Sequence, residues 1–151
     1  MISAKQIKAL RDQTGVSVAD CRKALEASNG DEAKALDWLK ANSVKTAEKK
    51  GSRSLGAGAV ASYIHSNGAL GAILELRSET DFVSKNEAFR TLAEDLAMQV
   101  AATAPADIKE LLEQPFIKEP SKTITDLVNT SIQKFGERIE IGRFNRLDTT
   151  D

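Results

Sequence analysis

The chain has very little of the chemistry on which small enzymes are built. Among 151 residues there is one histidine, His65, and one cysteine, Cys21. That pair makes a zinc site or a cysteine–histidine nucleophile pair improbable, and the two fall in different parts of the chain. A lone cysteine also excludes an intrachain disulfide, which fits a reducing cytosol. No GxxxxGK[ST] phosphate loop and no GxGxxG occur; Gly56-Ala57-Gly58 is a fragment without a following helix. Neither sign of charge is in surplus: 21 basic and 22 acidic side chains leave a net charge of −1. Nucleic-acid binders usually carry a clear basic excess, so RNA or DNA is disfavoured as the main partner. No apolar run approaches the roughly 20 residues that span a bilayer. The start, Met1-Ile2-Ser3-Ala4-Lys5-Gln6, has no secretory apolar region. These absences predict a soluble cytoplasmic protein that is not an enzyme, with no cofactor and no metal.

What is present is the balance of a folded domain, 41% apolar and 28% charged. Residues 1–45 read as three short helices. Ser3 and Gln6 suit a capping box, with Ile7 and Leu10 on one face and Thr14-Gly15 as the stop. Ser17 caps a second helix whose buried side is predicted to hold Val18, Cys21, Ala24 and Leu25, and Asn29-Gly30 ends it. Asp31 caps a third, carrying Ala35, Leu36, Trp38 and Leu39, with Trp38 expected as the largest single burial. None is long enough to be stable alone in water. Residues 46–57 read as a linker, helical at most at their start. The basic stretch Lys45, Lys49, Lys50 and Arg53 lacks the aromatics that stack on bases, so a solvated face is favoured over RNA binding.

Residues 58–151 form the second part. From Ala59 the period changes to two. Asn67-Gly68 predicts a two-residue hairpin turn with both residues at positive φ, placing Tyr63 opposite Ala72. One face then holds Ala61, Tyr63, Leu70, Ala72, Leu74 and Leu76, suited to cover by a helix. Ser84 and Glu87 predict a capping box for that helix, with Phe89, Leu92, Ala93, Leu96, Val100 and Ala101 at helical spacing and Ala104-Pro105 as its end. A short helix near Asp107–Leu112 follows, then an irregular segment at Gln114-Pro115-Phe116. A helix over Ser121–Phe135 and a third strand over Glu137–Leu147 complete an α+β domain.

The segment with most content is Glu79-Thr80-Asp81-Phe82-Val83, between the second strand and the helix. Such turns are exposed and held by rigid elements on both sides. Val83 suits a hydrophobic staple; Phe82 is left between two placements, packed in the core or pointing out to insert into a partner.

Two stretches, IKALRDQTGVSVADCRKALEASNGDEAKALDWL (Ile7–Leu39) and LELRSETDFVSKNEAFRTLAEDLAM (Leu74–Met98), resemble segments of the elongation factor Ts family. LLEQPFIK (Leu111–Lys118) and ERIEIGRF (Glu137–Phe144) are similar to further segments of that family, in the same order. The resemblance implies an N-terminal three-helix module of ubiquitin-associated type, a linker, and one core domain with a three-stranded antiparallel sheet packed by helices. It further implies guanine-nucleotide exchange on elongation factor Tu. Thr80, Asp81, Phe82 and Val83 would form the turn that disturbs the Mg²⁺ and phosphate site of that partner. Gly15, Val16 and Val18 would make a second contact, and His65 is a further candidate. Long members carry two core copies; this chain has room for one, so a homodimer in a two-to-two complex is implied. Departures from the family pattern are the short stretch between Pro105 and Leu111, Gly142 before Phe144, and Ser17-Val18. The alternative is an adaptor whose N-terminal module binds ubiquitin-like or nascent chains. Val16 following Gly15, where such modules often present an aromatic, weakens it.

Overall fold

The computed structural model describes residues 1–150. In chain order the elements are α1 (Ala4–Thr14), α2 (Val18–Ala27), α3 (Glu32–Lys50), β1 (Ala57–Ile64), β2 (Leu70–Ser78) and α4 (Asp81–Ser84). There follow α5 (Glu87–Thr103), α6 (Ile108–Glu113), β3 (Pro115–Phe116), β4 (Glu119–Thr123), α7 (Ile124–Phe135) and β5 (Ile139–Asp148).

Each of the first three helices starts where a side chain takes an otherwise unpaired backbone N–H. Ser3 and Gln6 form the capping box, Ser17 accepts from Asp20 N, and Asp31 accepts from Lys34 N. Their inward faces meet in a cluster of Ile7, Leu10, Val16, Cys21, Ala24, Leu25, Ala35 and Leu39. One expectation changes here. Val18, predicted inside, is exposed, and Val16 in the preceding loop is buried in its stead. Trp38 packs against the margin of the cluster, partly buried. α3 also runs to Lys50, into the stretch read as linker. Its tertiary partners account for the length: Lys40 Nζ lies 3.5 Å from an Asp126 carboxylate oxygen on α7, and Ala47 packs against the second core.

β1 and β2 pair antiparallel with Tyr63 opposite Ala72, as the alternation predicts. The turn between them differs. Gly68 donates its N–H to the His65 carbonyl at 2.8 Å and lies at φ +71°, whereas Asn67 does not enter the left-handed region. The Asn67 side-chain oxygen instead accepts from Ala69 N at 3.0 Å, so one left-handed residue is enough to reverse the chain. β5 pairs with β2 on its other side, giving the order β1-β2-β5. A bulge between Leu74 and Leu76 sets Gly142 and Arg143 against Glu75. The Glu75 carboxylate occupies the space where a side chain on residue 142 would begin, and it accepts from Arg143 at 3.2 Å.

One face of this sheet is covered by α5 and α7. Leu74, Leu76, Phe89, Leu96, Val100, Ile124, Ile132 and Ile139 form its core, with Phe89 and Phe135 in edge-to-face contact at 6.3 Å. Burying Phe89 alone contributes about 2–3 kcal/mol. The opposite face is open, and Ile64, Ile73 and Leu147 lie on it exposed.

Two more expectations are corrected in the C-terminal half. Residues 114–116 are not irregular: Pro115 and Phe116 pair with Glu119–Thr123 as a small hairpin. Gln99 holds it in place. This side chain is fully buried, yet it donates to Pro115 O (3.0 Å) and Gln114 Oε1 (3.1 Å) and accepts from Ile117 N (3.0 Å). Ser121 accordingly belongs to β4, and α7 starts later, behind a capping box of Thr123 with Asp126. No helix among the described residues is long and apolar enough to cross a membrane.

Candidate functional site

β2 ends at Ser78, and the chain turns through Glu79 and Thr80 into the single helical turn of α4. This extra turn overrides the predicted capping box. Ser84 is the last residue of α4; it is buried, and its hydroxyl donates to the Asp81 carbonyl at 3.3 Å. The cap of α5 is Asn86, whose side-chain oxygen accepts from Ala88 N at 2.8 Å. Of the two apolar residues on α4, Val83 packs into the core and Phe82 is 87% exposed. The outward placement is therefore the one adopted by Phe82. Asp81, beside it, is exposed and lies 3.3 Å from Lys85 Nζ; water screens this pair.

The turn is held from the far end of the chain. Thr80 stands at the N-cap position of α4 but makes no cap bond with its side chain. It donates both its backbone N–H (3.0 Å) and its hydroxyl (2.7 Å) to the carboxylate of Glu137. One residue earlier, the Glu79 carboxylate accepts from the backbone N–H of Arg138 at 2.6 Å and lies 3.6 Å from the Arg53 guanidinium. Ser78, fully buried, donates its hydroxyl to Thr80 O at 2.9 Å. From the sequence Arg53 reads only as part of a solvated basic stretch, and Glu137 and Arg138 only as the start of the third strand. The only local signal was an acidic residue directly after the Gly136 stop, and nothing local ties it to a turn 57 residues away.

The second predicted contact is split by the fold. Gly15 caps α1 at φ +70°, Val16 is buried beneath the loop, and Val18 points out. A side chain added at Gly15 would meet Lys134 Cε at 3.1 Å, so the loop rests against the C-terminal end of α7. Residues 134–137 thus touch the loop on one side and the Thr80 turn on the other. His65 is elsewhere. It is exposed at the hairpin end of the sheet, its Nδ1 3.1 Å from the Tyr63 hydroxyl. β2 separates it from Ser78 by eight residues of strand, roughly 26 Å.

Burial pushes the Cys21 thiol up, with the Thr14 hydrogen bond partly opposing it. The Arg143 hydrogen bond holds the Glu75 carboxyl below its usual range, and the Thr150 hydroxyl does the same for Asp148. The turn therefore offers a partner a rigidly mounted aromatic ring next to a carboxylate, an arrangement suited to insertion.

The model of the elongation factor TS family matches residues 79–151, beginning at the turn itself. Elongation factor Ts of Oleidesulfovibrio alaskensis is 39% identical, with 96% of this chain and 96% of that protein covered. Elongation factor Ts of Thermodesulfovibrio yellowstonii is 39% identical over 96% of this chain and 94% of its own length. That of Moorella thermoacetica is 37% identical over 98% and 95%. These names lend no support to the adaptor reading. With a chain-long likeness of this strength and a family match that opens on the Phe82 turn, the protein belongs to the elongation factor Ts family and is a translation elongation factor.

Proposed function

We propose that the protein is a guanine-nucleotide exchange factor that binds elongation factor Tu carrying GDP and promotes release of the nucleotide. The observation that carries this reading is Phe82, a large aromatic 87% exposed on a turn tied into the fold at both ends. Buried aromatic anchors dominate interface energies, and a rigid mount lowers the ordering cost of inserting one. Phe82 enters between helices of the partner's GTPase domain. Asp81 beside it disturbs the surroundings of the Mg²⁺ that neutralises the phosphates there. Thr80 and Val83 shape the turn from within. Because the factor binds the nucleotide-free state better than the GDP state, linkage requires GDP to bind the complex correspondingly less well. No covalent or proton-transfer step is involved, so the protein acts on a binding equilibrium and is not an enzyme.

The loop Gly15–Val18 makes the second contact, through Val18, with Val16 supporting it from below. Two grips limit rocking, which lets the wedge act as a lever. A homodimer in a two-to-two complex completes the reading; the exposed Ile64, Ile73 and Leu147 on the open sheet face support it. Light scattering across a concentration series tests that part. The expected result is a dimer that Ile73→Glu converts to monomer, and a monomer at all concentrations excludes it.

The primary test loads elongation factor Tu with a fluorescent GDP analogue and follows its release in excess unlabelled GDP. Release should accelerate with the concentration of this protein. Phe82→Ala should weaken the coupling by about 2 kcal/mol, roughly thirtyfold. Parental exchange by that variant would remove Phe82 from the mechanism.

A further inference from the structure

We infer that Glu137 is the positioning residue of the Phe82 turn, acting by the reach of its carboxylate and not by its charge. The inference rests on the wedge reading of Phe82. Its starting point is the end of the β2–β5 ladder, whose last pair is Ser78 with Ile139. Beyond that pair the strands diverge, and side chains replace the ladder bonds. The Glu79 carboxylate takes the backbone N–H of Arg138, and the Glu137 carboxylate takes the backbone N–H of Thr80. Two adjacent residues on each strand thus clasp each other, each side supplying one carboxylate and one N–H.

Glu137 has the larger share, because its second oxygen also takes the Thr80 hydroxyl at 2.7 Å. That bond withdraws the threonine from the capping role its position would give it; the Thr80 side chain makes no cap bond. Thr80 O then accepts from Ser84 N at 3.3 Å, closing α4. A residue gripped at both N–H and hydroxyl, and accepting the first helical bond, has little freedom left. Phe82 lies two positions further on, within the same single turn. A helix of four residues has no stability of its own. The direction of the ring is therefore set by the clasp and by Val83 in the core.

Reach and charge are separable by substitution. Glutamine keeps the chain length; its oxygen accepts from Thr80 N while its amide donates to the Thr80 hydroxyl. Aspartate keeps the charge and loses one methylene of reach. The experiment measures GDP release from elongation factor Tu against concentration of full-length Glu137→Gln, Glu137→Asp, Glu137→Ala, Phe82→Ala and Phe82→Ala/Glu137→Ala, with a thermal melt of each. Glu137→Gln is expected within about twofold of the parent, and Glu137→Asp and Glu137→Ala about tenfold down in maximal release rate. In the Phe82→Ala background Glu137→Ala should add less than about twofold, because there is no longer a ring to aim. Equal factors in both backgrounds, or full activity of Glu137→Asp with loss in Glu137→Gln, overturn the positioning role and leave the wedge intact. Parental exchange by Phe82→Ala overturns both.

Discussion

Two short turns in this protein present the same problem and solve it differently. Thr14–Val18 joins two helices, and Glu79–Ser84 joins a strand to a helix. Each carries two apolar side chains of which one goes in and one goes out. In the first, Val16 is buried and Val18 exposed; in the second, Val83 is buried and Phe82 exposed. The first turn is secured locally. Gly15 reverses the chain at positive φ, and Thr14 Oγ1 accepts from Val16 N at 3.3 Å. The second is secured from 57 residues away, by Glu137. A turn anchored from outside itself can afford to leave its largest side chain in water, because its shape does not depend on burying that side chain.

This contrast can be broken by exchanging the roles of the inward and outward residues. The largest effect is expected at Phe82. Phe82→Ala should cost about thirtyfold in exchange while shifting the thermal midpoint by no more than a degree or so, since no core contact is lost. A large drop in midpoint would mean that the ring packs within the protein. The inward residues should behave in the opposite way. Val83→Ala and Val16→Ala should each lower stability by about 1.5 kcal/mol, read from urea unfolding, through lost burial and the cavity left behind. Retained stability in both would place these side chains at the surface.

A smaller effect is expected for Val18→Ala, about threefold in the concentration needed for half-maximal exchange, with unchanged stability. No change at all would confine the partner contact to the Phe82 turn. A last test reads no loss of exchange and concerns Cys21, fully buried under the first turn with its thiol pushed up by burial. Its labelling by a thiol reagent at neutral pH should be at least about a hundredfold slower in the folded protein than in urea. Rapid labelling would show that the helical cluster opens easily and that the Gly15 loop is not the firm contact proposed for it.

Much of the molecule is legible in the sequence because its signals are local. Caps at Ser3, Ser17 and Asp31 start helices where their side chains reach the next turn's N–H groups. Alternation along β1 and β2 sets the face of the sheet and the pairing of Tyr63 with Ala72. Local signals also mislead where two of them compete. Ser84 and Glu87 have the spacing of a capping box, but an intervening helical turn consumes Ser84 and passes the role to Asn86. The Ser121 start of α7 failed for a similar reason, since a hairpin pinned by Gln99 claims that residue first.

Sequence alone was sufficient for the main helices and the three-stranded sheet in their order, the α+β class and the antiparallel hairpin, all of which follow from propensity and period within a few residues. Tertiary structure alone decided that Phe82 faces solvent, that Val16 and not Val18 is buried, and that Glu137 holds Thr80. Each of these depends on which distant group reaches a given spot first. A choice between two similar side chains, or a bond spanning 57 residues, leaves no mark in local periodicity.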